Sequence, residues 1–457
     1  MKILFVHQNF PGQYKHLAPA MAALGHDVRA LGMTEKVQMP GVQYQRYGSK
    51  RGSTQGVHPW VIDFEAKVIR GEACARVASQ WRDQGYTPDV ICAHPGWGET
   101  LLLREAWPQA RQLHFVEFYY GAEGRDVGFD PEFPADPFET GCRLAIKNTN
   151  NLLNLGLMDW GISPTQWQRS TVPALHQQRI SVVHDGIDTA ALCPDDAAVL
   201  EAVDDQGRTL RLTRQDPVIT FVNRNLEPSR GYHRFMRALP KVLKDHPTAR
   251  VLIIGGDGVS YGAAPSQGSW KQIYLDEVAQ QIDRERLHFL GRVPYGTYVQ
   301  ALRISSAHVY LTYPFVLSWS LIEAMSLGAP IIASDTAPVT EVVEHGRNGW
   351  LVDFFDAEAL AGRILGCLAD PAAQAPLRAA ARATAVSRYD LQTVCLPAQR
   401  ALVECIARGE TPSAMASIEA SAAPTPPLPA SAKPVGNAPK ASGKNKSKKN
   451  PVVNHRA

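Results

Sequence analysis

Residues 313–335 combine a buried strand, a tight turn and a helix start in a pattern that suits anion binding. The turn and the first helical turn carry Ser318, Ser320 and Glu323, and Gly328 ends the helix before the next strand. A helix that starts directly after a strand directs backbone N–H groups into the crevice above the sheet. These groups and the positive end of the helix dipole favour a phosphate. Glu323, one turn into the helix, is placed to bind the hydroxyl groups of a sugar or ribose.

Ser320 and Glu323 also fit a structural interpretation. The spacing Ser-x-x-Glu at a helix start is that of a capping box, in which both side chains bond to free backbone N–H groups of the first turn. Residues 320–323 have this spacing. Capping and ligand binding are therefore both open for this pair.

A second anion site is indicated by Arg224 and Arg230, which flank a short loop between a strand and the helix that begins at Gly231. Both guanidinium groups can reach one point above the sheet, and arginine can bind a diphosphate bidentately. The alternative is a pair of surface arginines, one of them paired with Glu227. The position of both arginines on the same sheet edge as residues 313–335 favours the diphosphate.

Polar side chains also end several predicted strands in the first half of the chain. His7, His94, Glu117 and His184 each lie at or near such an end. Ligands of parallel α/β sheets bind at the carboxyl ends of the strands. His94 and Glu117 are therefore candidates for contact with the reacting groups, with a structural role for a lone histidine as the alternative.

The elements that must position these residues alternate between strand and helix through two halves of the chain. Strands are predicted at 2–7, 27–31, 89–93, 113–118 and 180–184, then at 218–222, 251–254, 287–290, 307–312 and 351–353. Strands separated by helices imply right-handed crossovers and parallel sheets. The fold class is therefore α/β, with two tandem Rossmann-like, doubly wound domains that face each other across a cleft.

The predicted domain boundaries follow from this alternation and from composition. The first Rossmann-like domain is 1–190, an extended connection is 191–216, and the second domain is 217–385. A helical segment, 386–410, is expected to pack back on the first domain. Residues 411–457 are rich in Ala, Pro, Ser and Lys, with seven basic residues and one acidic residue. This basic tail cannot bury enough apolar surface to offset its ordering entropy and is expected to be disordered, either as a solvated extension or as a tether to an anionic surface.

Composition excludes several other classes of protein. The 457 residues are 45% hydrophobic and 20% charged, which is typical of globular domains. No apolar run approaches the roughly 20 residues that span a bilayer. The N-terminus indicates a buried strand and not a secretory signal. The seven cysteines include no C-x-x-C pair, so neither a zinc site nor a disulfide framework is indicated and a cytoplasmic protein is expected.

An ordered set of motifs resembles one family. The second half contains, after the two arginines, Gly-Gly-Asp at 255–257, HFLGRVP at 288–294, LIEAMSLGAPIIASD at 321–335 and VTEVVEHGRNGWLV at 339–352. The first half contains FPGQYKHLAPAMAALGHDV at 10–28 and ISVVHDGID at 180–188. Together they resemble the group 1 (family 4) retaining glycosyltransferases of GT-B fold, over roughly residues 1–405.

The resemblance implies a nucleoside-diphosphate-sugar donor on the second domain and an acceptor mainly on the first. It places the donor diphosphate on the two arginines and on backbone N–H groups near Ser320 and Leu321, the ribose on Glu323 and the nucleobase beside Arg292 and Val293. The residues that it assigns to donor binding are Gly12, Arg224, Arg230, Val293, Ser318, Ser320, Leu321 and Glu323. The arginines, Glu117 and His94 are expected to act in catalysis, and no metal ion is implied because the arginines and the helix end neutralise the leaving diphosphate.

Two positions depart from the family pattern. The family places a glutamate eight residues before the one that corresponds to Glu323, and this chain has Phe315 there. The acidic contact to donor-sugar hydroxyls is therefore absent, and Ser318 is a candidate to replace it. The family also places a histidine at the end of a first-domain strand, where this chain has Glu117, with His94 as a second candidate.

The function that the resemblance implies is transfer of a sugar, with retention at the anomeric carbon, to a glycan or lipid-linked acceptor in cell-envelope polysaccharide synthesis. A lipid-linked acceptor would bring a cytoplasmic enzyme to the inner face of the membrane. The alternatives are a sugar-nucleotide epimerase or phosphorylase of the same fold, or a non-catalytic partner subunit that binds a nucleotide-sugar. An NAD-dependent oxidoreductase is disfavoured because residues 9–16 lack G-x-G-x-x-G, and nucleic-acid binding has no support outside the basic tail.

Overall fold

The computed structural model describes residues 1–412 and contains two parallel sheets, each with helices on both faces. This arrangement confirms the predicted α/β fold with two tandem doubly wound domains. The predicted disorder of the basic tail concerns residues that, from 413 onward, lie outside the described part of the chain. No helix in residues 1–412 has the length and apolar character needed to span a bilayer.

The first domain is built on a seven-stranded parallel sheet with the strand order β3-β2-β1-β4-β5-β6-β7. Its strands are β1 (Lys2–Val6), β2 (Asp27–Gly32), β3 (Val42–Arg46), β4 (Val90–Ala93), β5 (Arg111–Phe115), β6 (Trp160–Ser163) and β7 (Ile180–Val182). Its helices are α1 (Leu17–Ala23), α2 (Ile62–Asp83), α3 (Leu103–Ala106), α4 (Pro137–Lys147), α5 (Thr149–Leu157), α6 (Gln166–Ser170) and α7 (Ala174–Gln177). The central strands β1 and β4 are almost entirely buried, as expected for a sheet covered on both faces.

An antiparallel hairpin, β8 (Val199–Val203) and β9 (Thr209–Thr213), occupies the connection between the domains. The extended connection predicted over 191–216 thus contains two paired strands, which the prediction did not include. Apolar residues alternate with polar ones along β9, and Leu200, Leu210 and Leu212 pack into the core of the second domain. This period of two is a strand signal, although each run is only five residues long.

The second domain is built on a six-stranded parallel sheet with the order β12-β11-β10-β13-β14-β15. Its strands are β10 (Val218–Asn225), β11 (Arg250–Gly256), β12 (Leu287–Gly291), β13 (Ala307–Tyr310), β14 (Ile331–Ser334) and β15 (Trp350–Val352). Its helices are α8 (Tyr232–Asp245), α9 (Trp270–Val278), α10 (Tyr295–Arg303), α11 (Trp319–Ser326), α12 (Ala337–Thr340), α13 (Ala357–Ala369) and α14 (Ala375–Tyr389).

In each sheet, the chain adds strands toward one edge and then toward the other, and the reversal falls between one pair of neighbouring strands. The pair is β1 and β4 in the first domain and β10 and β13 in the second. Ligands of open α/β sheets bind at such a switch point, outside the carboxyl ends of the strands. His7 and His94 directly follow β1 and β4, and Arg224 lies at the end of β10. The candidate residues are therefore concentrated at the two switch points.

The chain returns to the first domain after α14. Helix α15 (Leu396–Ala407) places Leu402, Val403 and Ile406 in the same core cluster as Phe5 of β1. Helix α15 therefore covers one face of the first sheet, although it follows the second domain in sequence.

A segment of the first domain also reaches across to the second domain. Residues 121–136, between β5 and α4, contain neither helix nor strand and contact the second domain; we call them the crossing segment. The Phe129 ring lies 5.1 Å from the Tyr313 ring and 5.3 Å from the Phe354 ring, measured between centroids. Asp130 accepts hydrogen bonds from His233 Nε2 at 2.8 Å and from the hydroxyl of Tyr313 at 3.0 Å. The two domains are thus joined by side chains as well as by the chain connections.

Candidate active site

Three histidines follow first-domain strands and share one local geometry. The Nδ1 atoms of His7, His94 and His184 each accept a hydrogen bond from the backbone N–H two residues further on, at 2.9, 3.1 and 3.0 Å. A neutral imidazole carries its single proton on the nitrogen that does not accept. Each of these rings, when neutral, is therefore a donor at Nε2, and the backbone sets this tautomer.

His94 lines a cavity in the first domain, together with Glu117. Its side chain is 3% exposed, and Nε2 has no hydrogen-bond partner within residues 1–412. Nε2 lies 3.6 Å from Oε2 of Glu117, which is beyond direct hydrogen-bonding distance. The predicted pair therefore lies on one wall, with a donor available to a bound molecule.

Glu117 is located two residues beyond β5, and the predicted strand through residue 118 ends earlier, at Phe115. Burial opposes ionisation of Glu117, but the proximity of His94, His7 and Arg224 lowers the pKa of its carboxyl group overall. Burial and the neighbouring His94 lower the pKa of His7 to about 3. Glu117 is thus ionised and His7 neutral near pH 7.

Gly12 follows a turn, has a positive φ of 47° and packs against His7. A Cβ atom at position 12 would clash with the imidazole of His7, so the close approach seen here is to that ring. Nε2 of His7 donates to Oε1 of Gln13 at 2.7 Å. The approach of the Gly12 backbone to a phosphate stays a prediction.

A second cavity, of about 1240 Å³, opens at the carboxyl edge of the second sheet. Three residues predicted to bind the donor, Arg224, Val293 and Glu323, lie on this one cavity. Its other walls come from the ends of β10 and β11, from the residues after β12 and from the start of α10; they include Asn223, Gly255, Arg292, Tyr295 and Tyr298. Residues up to 100 positions apart in the chain are thus brought to one surface.

Arg230 is buried at the rim of this edge. Its Nη1 donates to Oγ1 of Thr312 at 2.7 Å and to the carbonyl of Val316 at 3.2 Å. The rings of Tyr261 and Phe315 lie over the guanidinium, with centroids 5.0 and 5.9 Å from Cζ. Arg224, by contrast, is exposed.

The alternative of two surface arginines, one paired with Glu227, is therefore wrong for Arg230. Glu227 is itself buried and accepts hydrogen bonds from the backbone N–H groups of Ser260, Tyr261 and Gly262. The carboxylate of Glu227 is therefore bound by these three backbone donors and not by Arg230. The convergence of both arginines on one diphosphate stays a prediction.

Glu323 is not part of a capping box. Helix α11 begins at Trp319 with Ser318 as its N-cap, whereas the capping box needs Ser320 in that position. The carboxylate of Glu323 accepts hydrogen bonds from the hydroxyl groups of Tyr295 at 2.7 Å and Tyr298 at 2.6 Å. Two tyrosine donors hold it at the cavity wall, where its remaining lone pairs can accept from a ligand.

The helix start differs in one respect from the predicted anion site. The N–H of Ser320 donates to Oγ of Ser318, and the N–H of Leu321 donates to the carbonyl of Ser318, both at 3.3 Å. The two amides expected to face a phosphate are therefore engaged by the N-cap residue. The distances are long for such bonds, so a phosphate oxygen would compete with Ser318 for them.

Trp319 links this helix to the first domain. Its Nε1 donates to Oδ2 of Asp185 at 2.7 Å, and Nζ of Lys15 lies 4.8 Å from its ring centroid. Burial raises the pKa of Asp185 to about 7, in spite of the hydrogen bond from Trp319, and the negative charge of Glu117 adds to the increase. The cleft thus contains a carboxyl group that titrates near neutral pH.

Sequence reasoning missed several of these residues. Asp185 was visible within the ISVVHDGID motif, but its contact with Trp319 joins residues 134 positions apart. Tyr261, Tyr295 and Tyr298 carry no local pattern that marks them as partners of Arg230 and Glu323. Phe315, identified as a departure from the family pattern, lies on the first-domain cavity and packs against Phe118, with ring centroids 4.6 Å apart.

Comparison with family models agrees with this architecture. Residues 24–192 match the glycosyl transferase family 4 group, and residues 204–384 match the glycosyl transferases group 1. The chain belongs to the group 1 glycosyltransferases. The two matched regions correspond to the two Rossmann-like domains and include every candidate site residue except His7 and Gly12.

Individual relatives of this glycosyltransferase family are similar over different lengths. A phosphatidyl-myo-inositol mannosyltransferase of Mycolicibacterium smegmatis is 31% identical over 46% of this chain and 48% of its own, so the match spans about half of that relative. A glycogen synthase of Mycobacterium tuberculosis is 24% identical over 86% of this chain and 92% of its own.

Solved structures show the same fold. A sucrose-phosphate synthase from Thermosynechococcus elongatus has 18% identity and a TM-score of 0.67, covering 89% of this chain and 100% of its own. The Anabaena protein HepE, crystallised with UDP and glucose, has 19% identity and a TM-score of 0.60, covering 88% of this chain and 100% of its own. At these identities the likeness concerns the fold alone.

Proposed function

We propose that this group 1 glycosyltransferase transfers a sugar from a nucleoside-diphosphate-sugar to a glycan or lipid-linked acceptor, with retention of the anomeric configuration, in cell-envelope polysaccharide synthesis. The observation that carries the proposal is the pairing of two cavities. Arg224 and Glu323 line the cavity of the second domain, His94 and Glu117 line that of the first, and Arg230 lies buried at the rim of the second sheet. The mannosyltransferase and glycogen synthase among the relatives support the same reaction class.

Donor binding follows from the second-domain cavity. The guanidinium groups of Arg224 and Arg230 bind the diphosphate, and the Nε and Nη2 donors of Arg230 are available because its two hydrogen bonds use Nη1. Glu323, held by Tyr295 and Tyr298, accepts hydrogen bonds from the ribose hydroxyls, and Val293 lies beside the base. The cations stabilise the negative charge that develops on the departing diphosphate.

The transfer step joins the two cavities. The bond between the anomeric carbon and the diphosphate oxygen breaks, a bond to the acceptor oxygen forms on the same face, and the acceptor proton passes to a diphosphate oxygen. The Nε2–H of His94 donates to a hydroxyl of the transferred sugar, and the ionised Glu117 accepts from a hydroxyl in the same pocket. A lipid-linked acceptor would bring the protein to the membrane surface as a peripheral partner.

The proposal is tested by incubating the purified chain with UDP-, GDP-, ADP- and dTDP-sugars and an acceptor extract, with nucleoside diphosphate and glycosylated product measured by mass spectrometry. Both products are expected, and NMR of the product should show the anomeric configuration of the donor. Hydrolysis or transfer from none of the donors would contradict the proposal. Nucleoside diphosphate without a glycosylated product would favour an epimerase or phosphorylase, and binding without turnover a partner subunit.

The phosphate assignment has its own test. Arg224→Ala is expected to weaken nucleoside-diphosphate binding at least tenfold, because a charge-assisted contact of about 1.5–3 kcal/mol is lost. Arg211→Ala, on the exposed face of β9, is the matched control and should leave the binding isotherm unchanged. Equal isotherms for Arg224→Ala and wild type would refute this role of Arg224.

A further inference from the structure

A buried carboxylate organises a loop beside the donor cavity. Glu227 is 1% exposed, and its Oε2 accepts hydrogen bonds from the N–H groups of Ser260, Tyr261 and Gly262, each at 3.2 Å. Three successive backbone N–H groups that converge on one anion form a nest, and bonds to an ionised acceptor are stronger than neutral ones. The loop 257–262 is therefore fixed by an internal anion.

A second side chain fixes the same loop. Nδ2 of Asn225 donates to Oγ of Ser260 at 2.7 Å, and Nη2 of Arg292 donates to Oδ1 of Asn225 at 3.3 Å. Asn225 and Glu227 leave the end of β10 on either side of the buried Leu226. The end of the strand that carries Arg224 thus determines where loop 257–262 lies.

The consequence is the position of Tyr261. Its ring lies 5.0 Å from the Arg230 guanidinium and 5.0 Å from the Phe315 ring, and Phe315 in turn contacts Phe118 of the first domain. Tyr261 is 44% exposed, so one face of the ring covers Arg230 while another part is open to the cleft. A row of three rings therefore connects Arg230 with the first-domain cavity.

We propose that Tyr261 and Phe315 form the contact surface for the transferred sugar of the donor, and that Glu227 is the positioning residue that sets this surface. The inference rests on the proposed function. A sugar attached to a diphosphate on Arg230 must extend toward His94, and Phe315 lies both at Arg230 and on the cavity of His94. Aromatic rings offer a large apolar area, which suits the C–H face of a pyranose and not its hydroxyl edge.

The test compares binding of a nucleoside diphosphate with binding of its sugar derivative by isothermal titration, with the pairs UDP and UDP-glucose and GDP and GDP-mannose. Tyr261→Ala and Phe315→Ala are each expected to weaken the sugar-nucleotide about tenfold while the free nucleoside diphosphate binds as in wild type. Tyr261→Phe keeps the ring and should restore binding of the sugar-nucleotide. Phe138→Ala, at an exposed position on α4, is the matched aromatic control.

Glu227→Gln tests the positioning role. An amide in place of the carboxylate faces three N–H groups with one acceptor oxygen and an NH2 group, so the loop loses its fixed position. The KM for the sugar-nucleotide should rise while the KM for the acceptor stays as in wild type, and Glu227→Asp should recover part of the loss. A KM for the sugar-nucleotide equal to that of wild type would refute this role even if Glu227→Gln were less stable.

The outcomes separate this inference from the function on which it rests. Wild-type protein that binds neither nucleoside diphosphates nor their sugars would overturn both. Wild-type binding of both ligands, with Tyr261→Ala and Phe315→Ala unchanged or with free nucleoside diphosphate weakened equally, would overturn the sugar-contact surface alone.

Discussion

Asp185 is a residue of the cleft whose charge depends on pH near neutrality. Its pKa, raised to about 7 by burial, lies far above the ordinary value of an aspartate, 3.8. A carboxyl group of this kind binds a proton on folding at any pH between these two values. Its contribution to stability is therefore complete below about pH 4 and is lost as the pH rises through 7.

The matched variant is Asp185→Asn, which retains an acceptor oxygen for Trp319 and does not titrate. The free energy of unfolding of wild type minus that of Asp185→Asn should fall between pH 4.5 and 7 and level off above pH 7. Urea unfolding at a series of pH values measures this difference, and all other titrating groups cancel. A difference that is constant with pH would contradict the raised pKa.

The hydrogen bonds from Tyr298 and Tyr295 to Glu323 differ in their exposure to water. Tyr298 is buried and Tyr295 is exposed, although both donate to the same carboxylate. Tyr298→Phe should lower the free energy of unfolding by about 1.5–3 kcal/mol, the range for a hydrogen bond to a charged group. Tyr295→Phe should cost less because water can replace its hydroxyl, and equal urea midpoints for the two variants would show that burial does not distinguish them.

Among the elements, α15 contributes to a domain that it does not follow in sequence. Leu402 is 2% exposed and lies in the core cluster of the first sheet. Leu402→Ala should lower the free energy of unfolding by about 2–5 kcal/mol, through lost transfer energy and the cavity left behind.

Leu175→Ala on α7 is the control, since that side chain is 84% exposed and such substitutions change stability by about 0.5 kcal/mol or less. Urea denaturation followed by circular dichroism measures both variants. A Leu402→Ala protein as stable as Leu175→Ala would mean that α15 does not contribute to the fold of the first domain.

For the whole molecule, the crossing segment provides a buried polar link between the domains. The side chain of Asp130 is 1% exposed and bonds to His233, Tyr313 and Arg234 of the second domain. Asp130→Ala leaves Nε2 of His233 and the hydroxyl of Tyr313 buried without this acceptor, which should cost about 1–3 kcal/mol for each group, whereas Arg234 keeps its ion pair with Glu132. The substitution should also increase the radius of gyration in small-angle scattering, because the domains separate more readily.

Asp196→Ala, which removes an exposed carboxylate from the connection, is the control for Asp130→Ala. Its expected effect is small because exposed ion pairs contribute at most about 1 kcal/mol. Equal unfolding curves and equal scattering for the two variants would exclude the crossing segment as a link between the domains.

The alternation of strands and helices in the two halves of the chain could be predicted because it follows from local signals: buried apolar runs, glycine stops and polar strand ends. Edge strand β3 and the hairpin of β8 and β9 were harder to predict, because their residues are half-exposed and their strands are short. Arg224 and Glu323 were proposed as site residues because of their position at or after strand ends, and the structure places both on one cavity. Contacts such as Tyr261 with Arg230 or Asp130 with His233 depend on which loops the folded sheets bring together, and no periodicity in the sequence encodes them.

The crossing segment also limits how this protein can be recombined with its relatives. Exchange of donor halves between two glycosyltransferases is simplest with a breakpoint in the connection before β10. Such a chimera would keep Asp130 and Phe129 from one parent but take their partners Tyr313, His233 and Phe354 from the other. The unit that can be exchanged intact is therefore larger than the second domain, and a functional exchange should carry residues 121–136 with it.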